Sequence, residues 1–202
     1  MRAMRAVKPE PRYASEMQTI LASRSPRRRT LLQSAGLNVD VRPSHIDETP
    51  LANESISAMV DRLSRDKALA CDAPANIPVI AADTLVAIGA HILGQPRDLA
   101  HAKTMLQQLS GHEHQVITGV CVRMGDRLIQ QQITTCVHFR QLTEAEIDTY
   151  LAHNEVLDKA GSYAIQSGAA SFITAIDGGL DNVIGLPVRT TLDMIAQLTS
   201  AQ

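Results

Sequence analysis

The chain has no tryptophan, three tyrosines and two phenylalanines among 202 residues, an aromatic content of 2%. That scarcity excludes a surface that reads single strands of nucleic acid by stacking successive bases. Cysteine is sparse as well: Cys71, Cys121 and Cys136 are odd in number, widely spaced and without a C-x-x-C pair. They supply neither a disulfide framework nor a zinc knuckle, and they read as reduced thiols of a cytoplasmic protein. No apolar run reaches the length of a membrane span, so no membrane partner is expected. Neither sign of charge dominates, with 19 basic against 21 acidic residues and a net charge of -2, which argues against a dedicated nucleic-acid binder.

What remains is an ordinary globular composition, 45% hydrophobic and 20% charged, long enough for one sizeable core or two small ones. Residues 1–16 carry Arg2, Arg5, Lys8 and Arg12 with Glu10, Glu16 and two prolines, and lack the apolar middle of a signal peptide. They are expected to form a disordered extension, leaving 17–202 as a single domain with Met17 a plausible alternative start. The order of elements, with no repeat or linker after Met17, gives a mixed α/β unit with two lobes around a central cleft.

Three places carry chemistry. The first is Ser23-Arg24-Ser25-Pro26-Arg27-Arg28-Arg29, where a short strand stops and a helix starts. Pro26 suits the first helical position and Ser25 the N-cap, while Arg28 stands where a capping box would place an acid. A helix N-terminus with free N–H groups and two or three guanidinium groups outlines a phosphate site; the alternative is an exposed basic turn, which the helix dipole disfavours. The second is Lys67. It falls within the stripe Ile56, Met59, Val60, Leu63 and Ala70 of a helix expected to be capped by Asn53. Either it snorkels at the stripe's edge, or its ammonium turns inward and needs an anion. The third is Asp83 with Thr84, which interrupt the apolar run 79–86, a central strand buried on both faces. A carboxylate there demands a partner or a metal ion; otherwise backbone N–H groups must satisfy it.

Elsewhere the expectations are plainer. Asp47 and Glu48 sit in the loop 43–50 and read as solvated acids, the alternative being a carboxylate near the phosphate site that holds a divalent ion. His112 and His114 have a spacing that suggests ligands but no third ligand nearby, and read as structural or solvent-facing. A hairpin joins 114–123 to 127–139, and Thr143 with Glu146 makes a capping box for the next helix. Residues 158–168 read as a substrate-lining loop and strand, or as a glycine-bearing turn leading to a strand at 171–176. A closing amphipathic helix follows Pro187.

Taken together these segments resemble the Maf family of nucleotide pyrophosphatases. The resemblance rests on Leu21-Ala22-Ser23-Arg24-Ser25-Pro26-Arg27-Arg28, Ala82-Asp83-Thr84, Pro96-Arg97-Asp98 and Ser110-Gly111. It continues through Asp158-Lys159-Ala160-Gly161 with Tyr163 and Gln166, and Val183-Ile184-Gly185-Leu186-Pro187. Asp83-Thr84 and Tyr163-Ala164-Ile165-Gln166 look like the subgroup acting on dTTP and UTP. The resemblance implies a mixed twisted sheet flanked by helices, and hydrolysis of a nucleoside triphosphate to the monophosphate and pyrophosphate with a divalent cation, Mg²⁺ or Mn²⁺. It makes Asp83 the proton acceptor and a candidate metal ligand. It ties Arg27, Thr84 and Gln166 to substrate choice, and places Ser23, Arg28 and Lys67 along the site. A glutamine amide that donates and accepts suits the edge of uracil or thymine.

Two departures from the family pattern stand out. Gln95-Pro96 replaces its usual Lys-Pro, so Gln95 can hydrogen-bond a phosphate without neutralising it, and Ser167 replaces a common glycine. Two other readings stay open: a purine-type or broad triphosphate pyrophosphatase, and a regulatory protein of septum formation, a process to which the family name is tied. Whether the chain forms a homodimer is left open too.

Overall fold

The computed structural model describes residues 17–200; the extension expected over 1–16 lies outside them. The chain enters through β1 (Gln18–Leu21), α1 (Pro26–Ser34) and β2 (Asn38–Val41), continues through α2 (Ile56–Ala70), β3 (Val79–Ile88) and β4 (His91–Leu93), and crosses α3 (Leu99–Leu109). The hairpin β5 (Glu113–Met124) and β6 (Arg127–Phe139) precedes α4 (Glu144–His153), three short 3₁₀ turns between Ala160 and Phe172, and β7 (Ile173–Asp177). The short α5 (Leu180–Ile184) and α6 (Val188–Thr199) close the chain.

The seven strands form one mixed sheet in the order β2-β1-β3-β5-β6-β7, with β4 against β3. β1 runs parallel to β2 and β3, while every other pairing is antiparallel. The mixture follows from the connections, since β1 reaches β2 by a helical crossover whereas β5 turns into β6 over two residues. The expected α/β architecture, a mixed sheet flanked by helices, is what the chain adopts.

β3 organises the layers. One of its faces is covered by α2 along its length, through Ala68 against Val79 and Ala81, and through Met59, Val60 and Leu63 against Leu85 and Ala87. The opposite face is divided. Ile80 and Ala82 pack with Leu32 of α1 and Met194, Ile195 and Leu198 of α6, whereas Val86 packs with α3 and α4. The edge of β3 is divided at the same level, because pairing with β1 stops at Ile80 and pairing with β4 starts at Val86. Between those points the two cores part and a cleft opens beside Asp83 and Thr84.

α2 is capped by Ser55, whose hydroxyl accepts from Ala58 N at 3.1 Å, and not by Asn53. Asn53 instead takes a left-handed turn, with φ at 60°. Asparagine tolerates that conformation better than most residues, and serine caps equally well two positions later. The same helix approaches β5 at Gly119, the residue opposite Asp83 in the ladder. A methyl group on Gly119 would lie 2.4 Å from the Val60 carbonyl oxygen, so only glycine lets α2 settle this close.

Candidate functional site

The cleft has a volume of about 800 Å³ and is lined by all eight residues the sequence singled out: Ser23, Arg27, Arg28, Lys67, Asp83, Thr84, Gln95 and Gln166. They come from α1 and its approach, α2, β3, the β4–α3 loop and the 3₁₀ region.

Lys67 lies on the buried stripe of α2 with Met59, Val60, Leu63 and Ser64. It turns inward, and its ammonium donates to Asp83 Oδ1 at 2.7 Å and pairs with Glu48 Oε2 at 3.0 Å. Lys67 and Asp83 are 8% and 7% exposed, which makes this a largely desolvated ion pair. Such a pair persists only when its partners are well placed. Glu48 was not among the candidate site residues. It belongs to the loop read as solvated, and its side chain is indeed 57% exposed, yet one oxygen faces the site. The signal for it in the sequence was an acid near a phosphate site, able to hold a divalent ion, and it weighed less than the exposure of its loop.

Thr84 faces the other way from Asp83, as neighbours on a strand must. Its hydroxyl accepts from Arg28 Nη2 at 3.0 Å and lies 3.0 Å from the Thr118 hydroxyl on β5. Arg28 also donates through Nε to Gly185 O at 2.9 Å and through Nη1 to Ser23 Oγ at 3.2 Å. Burial pulls the pKa of Arg28 down, with nearby Asp83 opposing the shift. Three of its donors are thus committed to neutral oxygens, so its charge is positioned in the cleft without being cancelled by a carboxylate. Ser25 caps α1 as expected, accepting from Arg28 N at 3.4 Å.

The mouth is more loosely tied. Arg27 Nη1 reaches Asp158 Oδ2 at 3.4 Å, and Gln95 Nε2 donates to Asp158 O at 3.3 Å. Gln166 is exposed and makes no hydrogen bond among the described residues. Arg29 is exposed on α1. The stretch 158–168 contains no strand. Positive φ at Gly161, Ser162 and Gly168 breaks it into separate short 3₁₀ turns, with Gly161 N donating to Gly94 O at 3.1 Å. His112 is exposed, whereas His114 is buried and shares a 2.8 Å hydrogen bond with the Tyr163 hydroxyl.

No group of three or more His, Cys, Asp or Glu side chains that could hold a metal ion occurs among the described residues. Two carboxylates, Asp83 and Glu48, nevertheless converge on one point, where Lys67 now supplies the positive charge. That donor set suits a hard cation that completes its shell with phosphate oxygens and water. Among the described residues, no helix is long and apolar enough to cross a membrane.

The chain has clear relatives. A family model described as Maf-like protein matches residues 18–198. A dTTP/UTP pyrophosphatase of Anaeromyxobacter dehalogenans is 44% identical over 180 residues, covering 87% of this chain and 91% of the relative. The protein of the same name from Cereibacter sphaeroides is 42% identical over 181 residues, covering 89% and 94%. That from Nitrosomonas europaea is 41% identical over 191 residues, covering 88% and 92%.

Proposed function

The chain belongs to the Maf family, and we propose that it hydrolyses nucleoside triphosphates, dTTP and UTP foremost, to the monophosphate and pyrophosphate. The observation that carries this reading is the Lys67 ammonium held between Asp83 and Glu48 inside a cleft that also presents Arg28.

Asp83 sits on a central strand, so its carboxylate is fixed by the sheet and paired with the Lys67 ammonium at 2.7 Å. In this reading it orients the attacking water and takes its proton as the α–β anhydride bond breaks. Arg27, Arg28, Lys67 and the start of α1 offset the charge of the triphosphate and of the departing pyrophosphate. Ser23 and Thr84 act through Arg28, whose guanidinium they hold. Gln166 faces the base with an amide that can both donate and accept, and Gln95 flanks the phosphates at the mouth. Asp83 and Glu48 would hold a divalent cation, Mg²⁺ or Mn²⁺, which supplies charge neutralisation and polarisation of the phosphoryl group when bound. Residues 17–202 act as one domain, since a single sheet runs through both halves of the cleft. The three free thiols suit a cytoplasmic setting.

The test is product analysis with dTTP, UTP, CTP and GTP in the presence of Mg²⁺ or Mn²⁺. Monophosphate and pyrophosphate should form fastest from dTTP and UTP, and Asp83→Asn should lower kcat by about a hundredfold or more. Absence of turnover with every nucleotide, release of orthophosphate, or an Asp83→Asn enzyme as active as the parent would overturn the reading. Preference for GTP would return the chain to the purine alternative.

A further inference from the structure

Aromatic side chains are rare in this protein, yet the four found among the described residues form one connected cluster. Phe139 packs edge-on against Tyr163 at 4.9 Å and Phe172 at 5.9 Å, and Phe172 meets Tyr150 at 5.1 Å. The cluster lies directly behind residues 163–166, the cleft wall that ends in Gln166 and carries no charged side chain. An uncharged wall in a cleft that elsewhere presents Lys67, Asp83 and Arg28 is the place for a base. No strand holds this wall, because β7 starts only at Ile173 and the turns before it are short 3₁₀ pieces.

Two hydrogen bonds tie the wall down instead. The Tyr150 hydroxyl, from α4, accepts from Ala164 N at 3.1 Å. The Tyr163 hydroxyl and His114 Nε2, from β5, are 2.8 Å apart. Phenylalanine would serve a core equally well at 150 and 163, since a buried hydroxyl adds nothing to packing and must find a partner. The Tyr150 hydroxyl finds its partner in this wall, and the Tyr163 hydroxyl, itself part of the wall, finds its partner in His114 on β5. His114 sits 1% exposed, and burying a polar imidazole there is a cost that an apolar residue would avoid.

We propose that Tyr150 and His114 are positioning residues that set base selectivity by fixing the backbone of 163–166 and hence the reach of Gln166; this rests on the nucleotide reading above. Uracil and cytosine present opposite donor and acceptor patterns at neighbouring ring positions, and a glutamine amide can rotate to match either. A wall held at two points fixes where that amide sits against the base, so that only one of the two pairings closes at good geometry. A wall released at one point lets the amide adapt to cytosine.

The experiment measures kcat and KM for UTP and CTP in the parent, Gln166→Ala, Tyr150→Phe, His114→Leu and Tyr163→Phe, with thermal unfolding of each. For Tyr150→Phe and His114→Leu the expected result has two parts. KM for UTP rises about fivefold with kcat within about twofold, and the UTP-over-CTP ratio of kcat/KM falls about fivefold, the value of one ordinary hydrogen bond. Tyr163→Phe breaks the same bond as His114→Leu, so the two together should add nothing further. An unchanged ratio in Tyr150→Phe and His114→Leu overturns the proposal, provided Gln166→Ala loses selectivity. So does an equal fall in kcat for both nucleotides that follows the loss of folded protein. If Gln166→Ala leaves the ratio intact, it is the assignment of this wall to the base that fails.

Discussion

Single side chains set much of the behaviour of this cleft, and His114 shows how burial does so. Packed beside Phe139 and Tyr163, its imidazole is pushed down from the usual 6.5 to about 4, chiefly by burial, against an opposing backbone hydrogen bond with His112 and with a smaller lowering from His138. The unfolded chain binds this proton below pH 6.5, but the folded chain refuses it until about pH 4. The unfolded state therefore carries more protons in between. The stability that His114 contributes is complete above 6.5 and falls away towards 4, by about 3 kcal/mol in all. Glu54 and Glu146, held at about 2 by Arg62 and Arg140, titrate only below the ordinary carboxylate value of 4.5. The loss between pH 6.5 and 4.5 thus belongs to the histidine. Urea unfolding at pH 7 and pH 5 should show a drop for the parent chain and a flatter response for His114→Leu. Equal slopes would show that the imidazole is not held neutral.

Gln95 makes the opposite case, a position defined by a charge it does not have. It lies at the exposed mouth, held only by the hydrogen bond that its amide donates to Asp158 O. Gln95→Lys adds an ammonium within the field of the bound triphosphate and should raise kcat/KM severalfold at low ionic strength, the gain shrinking as salt screens it. No gain at any salt concentration would remove this residue from the phosphate path.

At the scale of elements, the helix–sheet contact at Gly119 decides whether Lys67 can reach Asp83 at all. Gly119→Ala would press a methyl group against the backbone of α2, which cannot rotate away as a side chain can. The helix must lift, at about 1–3 kcal/mol, and Lys67 lifts with it. A lower Tm together with a tenfold or greater fall in kcat is expected, read by calorimetry and pyrophosphate release; a lower Tm with unchanged kcat would uncouple helix from site. Elements differed in how openly the sequence declared them. Helices with a clear stripe or cap, such as α2 and α4, and the apolar run of β3 were visible because their periodicity is local. The region 158–172 was not, because positive φ at Gly161, Ser162 and Gly168 breaks it into separate 3₁₀ turns held by a bond to Gly94, which lies far away in sequence. The start of α2 was misplaced by two residues for a milder reason, since Asn53 and Ser55 are both good caps and only the turn at Asn53 separates them.

At the scale of the whole molecule, the cleft exists because β3 is shared by two cores that separate halfway along it. Asp83, Lys67 and Arg28 could be named from their residue types against their surroundings: an acid in an apolar run, a lysine in an apolar stripe, an arginine at a helix start. Glu48 could be named only as the lesser alternative, because an exposed loop acid looks the same whether or not a buried lysine lies beneath it. The cluster of all four described aromatics was equally hidden, being an outcome of how α4, β5, β6 and the 3₁₀ turns meet.

The gap along the edge of β3 has a consequence for the main chain. Even-numbered residues of this strand turn their peptide groups towards β1 and β4, as Pro78 and Ile80 do in accepting from Ile20 and Ala22. Thr84 shares that direction but lies past the last pairing with β1 and before the first with β4. Its amide proton is therefore left to solvent in the middle of the most central strand, while those of Asp83 and Leu85 are locked to β5. Hydrogen–deuterium exchange should find Thr84 opening about tenfold or more faster than either neighbour, and slowing once a nucleotide fills the cleft. Equal protection at all three positions would mean that the edge is closed.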